Sequence, residues 1–176
     1  MKTIDLHIID IANNSIRAKA SEILIEVKDS EKDNSITLVI TDTGCGISPE
    51  KLKEINESFY SSRKTRKIGM GLALLKYHAE ITGGKFELTS ELGVGTKVYA
   101  KFVRNHIDRQ PIGDLPGTIA MFICQYSDIN FIFRYISDDN EFELSTADVK
   151  SVFENIELNN HLILSNIKEL IANSIE

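Results

Sequence analysis

The stretch from Asp10 to Arg17 constrains this chain more than any other. On a helix, Asp10, Asn14 and Arg17 fall at i, i+4 and i+7 and share one narrow stripe. Ile8, Ile9, Ala12 and Ile16 cover the opposite side. Such a helix buries one face and lines up a carboxylate, an amide and a guanidinium along the other. It is either one wall of a polar site or a surface helix with a solvated stripe. Asp5 is placed to cap its start, and the helix ends by Ala18 to Ala20.

Downstream, Glu22 to Lys28 alternates as a strand, a charged hairpin loop follows, and the β-branched run Ile36 to Thr41 reads as a second strand. That strand runs straight into Asp42-x-Gly44-x-Gly46-Ile47. Ser48, Pro49 and Glu50 then open a short helix through about Asn56. After Phe59 comes a basic run from Arg63 to Lys67, then Gly69-Met70-Gly71-Leu72, which opens a helix lasting to Ile81. Gly83 and Gly84 end it. Lys85 to Ser90 and Lys97 to Val103 read as strands joined by a glycine-containing turn.

Pro111, Gly113, Pro116 and Gly117 cluster past residue 105, which divides the chain into a domain of residues 1–104 and an extension of residues 105–176. The extension reads as helix, hairpin, helix, helix. Gly117 to Gln125 is apolar, Ile129 to Ile136 and Glu141 to Leu144 flank a turn, and Ser145 caps a helix with Asp148 in its first turn. The last helix puts Ile163, Ile167, Leu170 and Ile171 on one face. These apolar faces are expected to pack against the first domain, with docking of a partner as the alternative.

Charge and composition exclude several classes. A formal net charge of −6 opposes binding to nucleic acid, which needs a positive field. No apolar run approaches the ~20 residues that cross a bilayer, and no basic head precedes an apolar leader, so the expectation is a cytoplasmic protein with no membrane segment. Cys45 and Cys124, the chain's two cysteines, make no disulfide framework and lack metal-ligand spacing.

The glycine motifs carry the chemistry. A strand-end aspartate followed by Gly44 and Gly46 points a carboxylate into a pocket whose bare backbone a flat ring can approach. Asp42 can then accept a hydrogen bond from the exocyclic amine of adenine. Gly69 and Gly71 at a helix start expose N–H groups where the helix dipole favours an anion such as a phosphate. The basic run beside them is either a solvated loop or a lid that neutralises a polyphosphate.

The order Asp10-x-x-x-Asn14, Asp42-x-Gly44-x-Gly46, Phe59, Gly69-x-Gly71 and Gly95-Thr96 resembles the N, G1, F and G2 boxes of the GHKL superfamily over roughly residues 5–103. This superfamily spans type II topoisomerases, heat-shock chaperones, mismatch-repair ATPases, sensor histidine kinases and anti-sigma-factor kinases. The resemblance implies an α+β fold: a Bergerat-type α/β sandwich, a mixed sheet with helices on one face, plus the small C-terminal α/β extension. It implies ATP and Mg2+ as cofactors. Asn14 then matches the Mg2+ ligand, Arg17 a phosphate contact, Asp42 the adenine reader and Thr96 its support. Gly44, Gly46, Ile47, Phe59, Met70 and Leu72 fall in the nucleotide-binding boxes, Gly69 and Gly71 match the phosphate clamp, and Lys64 or Arg66 the lid.

Position 10 bears on the reaction. ATPases and serine-directed kinases of the superfamily carry a glutamate four residues before the metal asparagine, where it activates a water or hydroxyl. Asp10 is acidic but shorter, so it is either the catalytic base or a counter-charge for Arg17. With nine residues ahead of Asp10, the expectation is that no helix bearing a phosphoacceptor histidine accompanies this domain, and His7 reads as an ordinary polar-face histidine. The link from Asn105 to Asp114 resembles stand-alone histidine-kinase-like ATP-binding proteins encoded beside iron-only hydrogenases, which implies a hydrogenase or other redox-enzyme partner. Three functions follow from the resemblance: a Mg-dependent ATPase regulating a protein partner, a Ser/Thr protein kinase of the anti-sigma-factor type, or a non-catalytic ATP sensor.

Overall fold

A computed structural model describes residues 1–58, 70–153 and 157–175. In chain order the elements are α1 (Ile4–Arg17), β1 (Glu22–Ser30), β2 (Ser35–Asp42), α2 (Pro49–Ser58), α3 (Met70–Ile81), β3 (Lys85–Glu91) and β4 (Gly95–Val103). There follow α4 (Leu115–Gln125), β5 (Asn130–Ile136), β6 (Glu141–Ser145), α5 (Thr146–Val152) and α6 (His161–Ile175).

All six strands form one sheet in the order β3-β4-β2-β1-β5-β6. Four pairings are antiparallel, and β1 with β5 is parallel, so the sheet is mixed. Alternation assigns its two faces. Ile23, Ile25 and Val27 of β1, Ile36, Leu38 and Ile40 of β2, Val98, Ala100 and Phe102 of β4, and Phe131 and Phe133 of β5 all point under the helices and are buried. Each of these side chains but the small Ala100 contributes about 1.5–3 kcal/mol relative to exposure. On the open face the register sets Glu26, Arg134 and Glu143 side by side, and Arg134 bridges both carboxylates at 3.2 and 2.6 Å.

Residues past 105 extend this sheet: β5 lies along β1, and α4 stacks Phe122 on Phe131 with ring centroids 5.1 Å apart. Ser145 caps α5 in a full capping box with Asp148. On α6, Ile163, Ile167 and Ile171 are buried, but Leu170 is 48% exposed, because it lies off the inward stripe. Among the described residues no helix is long and apolar enough to cross a membrane.

Two expectations for α1 need correction. Asp5 is not its cap, since the helix already starts at Ile4 after Thr3. Asp5 is instead buried, and its Oδ2 accepts the Asp114 N–H at 2.8 Å. Ile4 and Asp5 N–H groups donate to the carbonyls of Pro111 and Ile112, which fastens the connecting segment to the start of α1. Nor is His7 on the polar face: it is fully buried, with Nε2 3.0 Å from His78 Nδ1 and 3.1 Å from Gln110 Oε1. At i−3 from Asp10 it falls on the side of α1 that meets α3. Burial, with His78 adding to it, pulls the imidazole down to about 4.

Candidate functional site

The site lies where β2 ends against α1. Asp42 is the last residue of β2, opposite Thr96 of β4, and only 8% exposed. Its Oδ1 accepts the Gly44 N–H at 2.8 Å, and its Oδ2 accepts the Ser15 hydroxyl at 2.6 Å. Both oxygens are thus held, and each keeps a lone pair for a further donor.

The loop after Asp42 is tied on three sides. Cys45 N–H donates to the Ala18 carbonyl at the end of α1, Gly93 N–H donates to the Cys45 carbonyl, and Ile47 N–H donates to Ser90 Oγ. Gly46 is required for this path: its φ is 65°, and a Cβ there would lie 1.9 Å from the Glu91 carbonyl oxygen.

Above Asp42 opens a cavity of about 350 Å³. Ile11, Ile47, Ile55, Leu72, Leu88 and Val98 supply apolar walls, and Asn14, Ser15, Asp42, Lys51 and Thr96 supply polar groups. An apolar slot with a few converging polar atoms is the form of a small-ligand site, and this volume suits a nucleoside.

Of the residues singled out in the sequence, Asn14, Asp42, Gly46, Ile47, Leu72 and Thr96 line this cavity together. Gly44 is buried beneath it against Ala18. Arg17 stands outside the lining and donates to Asn14 Oδ1 at 3.0 Å. Met70 is 76% exposed and also outside the lining. Asp10 is half-buried one turn before Asn14, against buried Gly71 at the start of α3. Phe59, Lys64, Arg66 and Gly69 lie outside the described residues.

Sequence reasoning missed Ser15, Lys51 and Ser90. Ser15 is buried and holds Asp42; its position beside Asn14 gave no separate signal. Ser90 was legible by parity, since Phe86, Leu88 and Ser90 share the inward side of β3. Its Oγ accepts from Ile47 and lies 2.7 Å from the Gly95 carbonyl and 2.9 Å from Thr96 Oγ1.

Among the described residues, no three His, Cys, Asp or Glu side chains group to hold a metal. Asn14 is exposed at the cavity, and its Oδ1, which accepts from Arg17, keeps a second lone pair on a neutral oxygen of the kind Mg2+ accepts alongside phosphate and water. That single donor fits a Mg2+ held mainly by nucleotide phosphates and water.

A mixed sheet covered by helices on one face, with a carboxylate fixed at the floor of a nucleoside-sized cavity, defines a Bergerat-type α/β sandwich. Residues 3–106 match the family of histidine kinase-, DNA gyrase B-, and HSP90-like ATPases, and the chain belongs to that family. It carries that family's ATP-binding domain.

The chain is similar to the sensor protein SrrB of Staphylococcus aureus, 31% identical over 106 residues, and to the histidine protein kinase DivJ of Caulobacter vibrioides, 28% identical over 95 residues. These matches cover 57% and 52% of this chain but 18% and 16% of the relatives, so the chain spans less than a fifth of their length. Its fold is also similar to the N-terminal domain of a DNA repair protein, at a TM-score of 0.53 and 19% identity, covering 88% of this chain and 58% of that one.

Proposed function

We propose that the protein is a Mg-dependent ATPase that regulates a protein partner. The observation that carries this reading is Asp42, clamped by Ser15 and Gly44 at the floor of the cavity, with Asn14 one helical position from Ser15 at its wall. Asp42 takes the exocyclic amine of the base, and Asn14 Oδ1 offers an oxygen ligand toward the phosphates. Bound Mg2+ would screen the phosphate charge. Asp10 accepts the proton of the attacking water as its bond to the γ-phosphorus forms and ADP leaves.

A second reading, transfer to a protein hydroxyl, uses the same Asp10 as base, and the acidic residue four positions before Asn14, as in the serine-directed kinases the sequence resembles, supports it. The resemblance of the 105–114 link supports a redox-enzyme component as the partner in either case.

Calorimetric titration of ATP at millimolar magnesium tests the site: binding is expected for the wild type and lost in Asn14→Ala, and unchanged affinity in that variant refutes the metal role. Incubation with γ-labelled ATP and the partner then separates the readings. Free phosphate supports the ATPase, label on the partner supports the kinase, and binding with neither leaves a nucleotide sensor.

A further inference from the structure

Ser90 sits behind the cavity wall, yet its hydroxyl governs what the wall offers. A serine oxygen has one hydrogen and two lone pairs. The Ile47 N–H takes one lone pair at 2.9 Å. The Gly95 carbonyl, 2.7 Å away, is only an acceptor and therefore takes the hydrogen. The one remaining place on Ser90 is a lone pair, and Thr96 Oγ1 at 2.9 Å must fill it by donating its own hydrogen.

Thr96 is thereby left with lone pairs alone on its cavity side. Asp42, its neighbour across the β2–β4 pair, is equally an acceptor, with its two held donors arriving from Gly44 and Ser15. The polar floor between β2 and β4 thus presents side-chain acceptors and no side-chain hydrogen. The two N6 hydrogens of a 6-amino purine can meet both acceptors, whereas a 6-oxo purine brings a single hydrogen, on N1, and sets its carbonyl against the second acceptor, which is left unmet.

We infer that Ser90 is a specificity-determining positioning residue: by fixing the Thr96 hydroxyl as an acceptor it makes the site discriminate 6-amino from 6-oxo purine nucleotides. This rests on the purine lying over Asp42. Without Ser90, the Thr96 hydrogen is free to turn into the cavity and meet a carbonyl.

The test compares the affinities of ATP and inosine triphosphate, which differ at the C6 substituent and the adjacent ring nitrogen, by calorimetry on the whole chain. The wild type is expected to favour ATP. Ser90→Ala should narrow the ATP:ITP ratio by about tenfold, the worth of one hydrogen bond changing sign. Ser90→Thr, which keeps the hydroxyl, should restore the wild-type ratio. Thr96→Val, which removes the hydroxyl itself, should narrow the ratio without touching Ser90. A ratio unchanged in both Ser90→Ala and Thr96→Val, with ATP still bound, overturns the role of Ser90. Absence of ATP binding in the wild type instead overturns the assignment of the site, and this inference with it.

Discussion

The carboxylate of Asp10 occupies the space that a methyl group on Gly71 would need: a Cβ at Gly71 would lie 1.7 Å from Asp10 Oδ2 and 2.5 Å from its Cγ. Glycine at this position is therefore a seat for the acid of α1. Gly71→Ala must displace Asp10 or push α3 outward, at a cost of about 1–3 kcal/mol for overpacking. The expected outcome is a lowered melting temperature together with loss of ATP turnover. Asp10→Asn, nearly isosteric, should keep both the melting temperature and ATP affinity while turnover stops. Steady-state phosphate release and calorimetry on the two variants check this, and full turnover in Asp10→Asn would place the base elsewhere.

Ser15 contacts the cavity and holds Asp42 Oδ2 at 2.6 Å. Ser15→Ala leaves that oxygen without its donor and free to swing from the base. A hydrogen bond to a charged group is worth about 1.5–3 kcal/mol, so ATP should bind roughly 10- to 100-fold more weakly. The dissociation constant measured by calorimetry decides it, with circular dichroism showing that the fold is kept.

Acid should find His7. Its imidazole is held at about 4 in the fold against 6.5 when exposed, by burial first and by His78 second. The unfolded chain therefore binds the proton more readily, and the folded state loses ground as pH drops. The contribution is intact above pH 6.5 and is lost through the interval down to about 4, the loss reaching about 3 kcal/mol at the acid end. His7→Gln, which carries no charge at any pH, should flatten this part of the curve. Urea denaturation of both proteins at several pH values between 4 and 7 provides the measurement, and parallel curves would acquit His7.

Gly113 holds the connecting segment on α1. Its φ is 88°, and a Cβ there would lie 2.2 Å from Asp5 Oδ1. Gly113→Ala is expected to destabilise by about 1–3 kcal/mol through backbone strain and this clash together. Because the clash partner is Asp5, the double variant with Asp5→Ala should lose less than the two single losses added. Thermal unfolding of the four proteins of this cycle tests the coupling, and strict additivity would refute it.

Local signals carried most of the architecture. Strand alternation, the Ser145–Asp148 cap and the glycine stops each act within a few residues and can be read there. Asp42 and Asn14 stand in motifs whose spacing has a chemical reason and Thr96 in one the family resemblance picks out, and all three line the same cavity. The parallel pairing of β5 with β1 has no such local mark, since nothing near Asn130 names its partner. Ser15 escaped notice because a buried serine has the same letters as a turn serine, and its purpose appears only when Asp42 is brought beside it; parity marks Ser90 as inward, but its bond to Ile47 has no local signal. His7 misled because the polar stripe of Asp10 and Asn14 stops a turn short of it. Leu170 misled because four apolar residues near one stripe do not all reach inward.

The placement of β1 has a bearing on synthesis. Its backbone rung at Glu22 is met on one side by Asn130, 108 positions further on. While the ribosome is still making that stretch, the emerging polypeptide shows a long β-branched edge with unanswered amides and carbonyls, a template for pairing with a neighbouring chain. At roughly 5–20 residues per second the interval between completing β4 and completing β5 lasts a few seconds. Closure of that edge therefore waits on β5, and a foreign strand that reached it first would divert the chain from its own sheet.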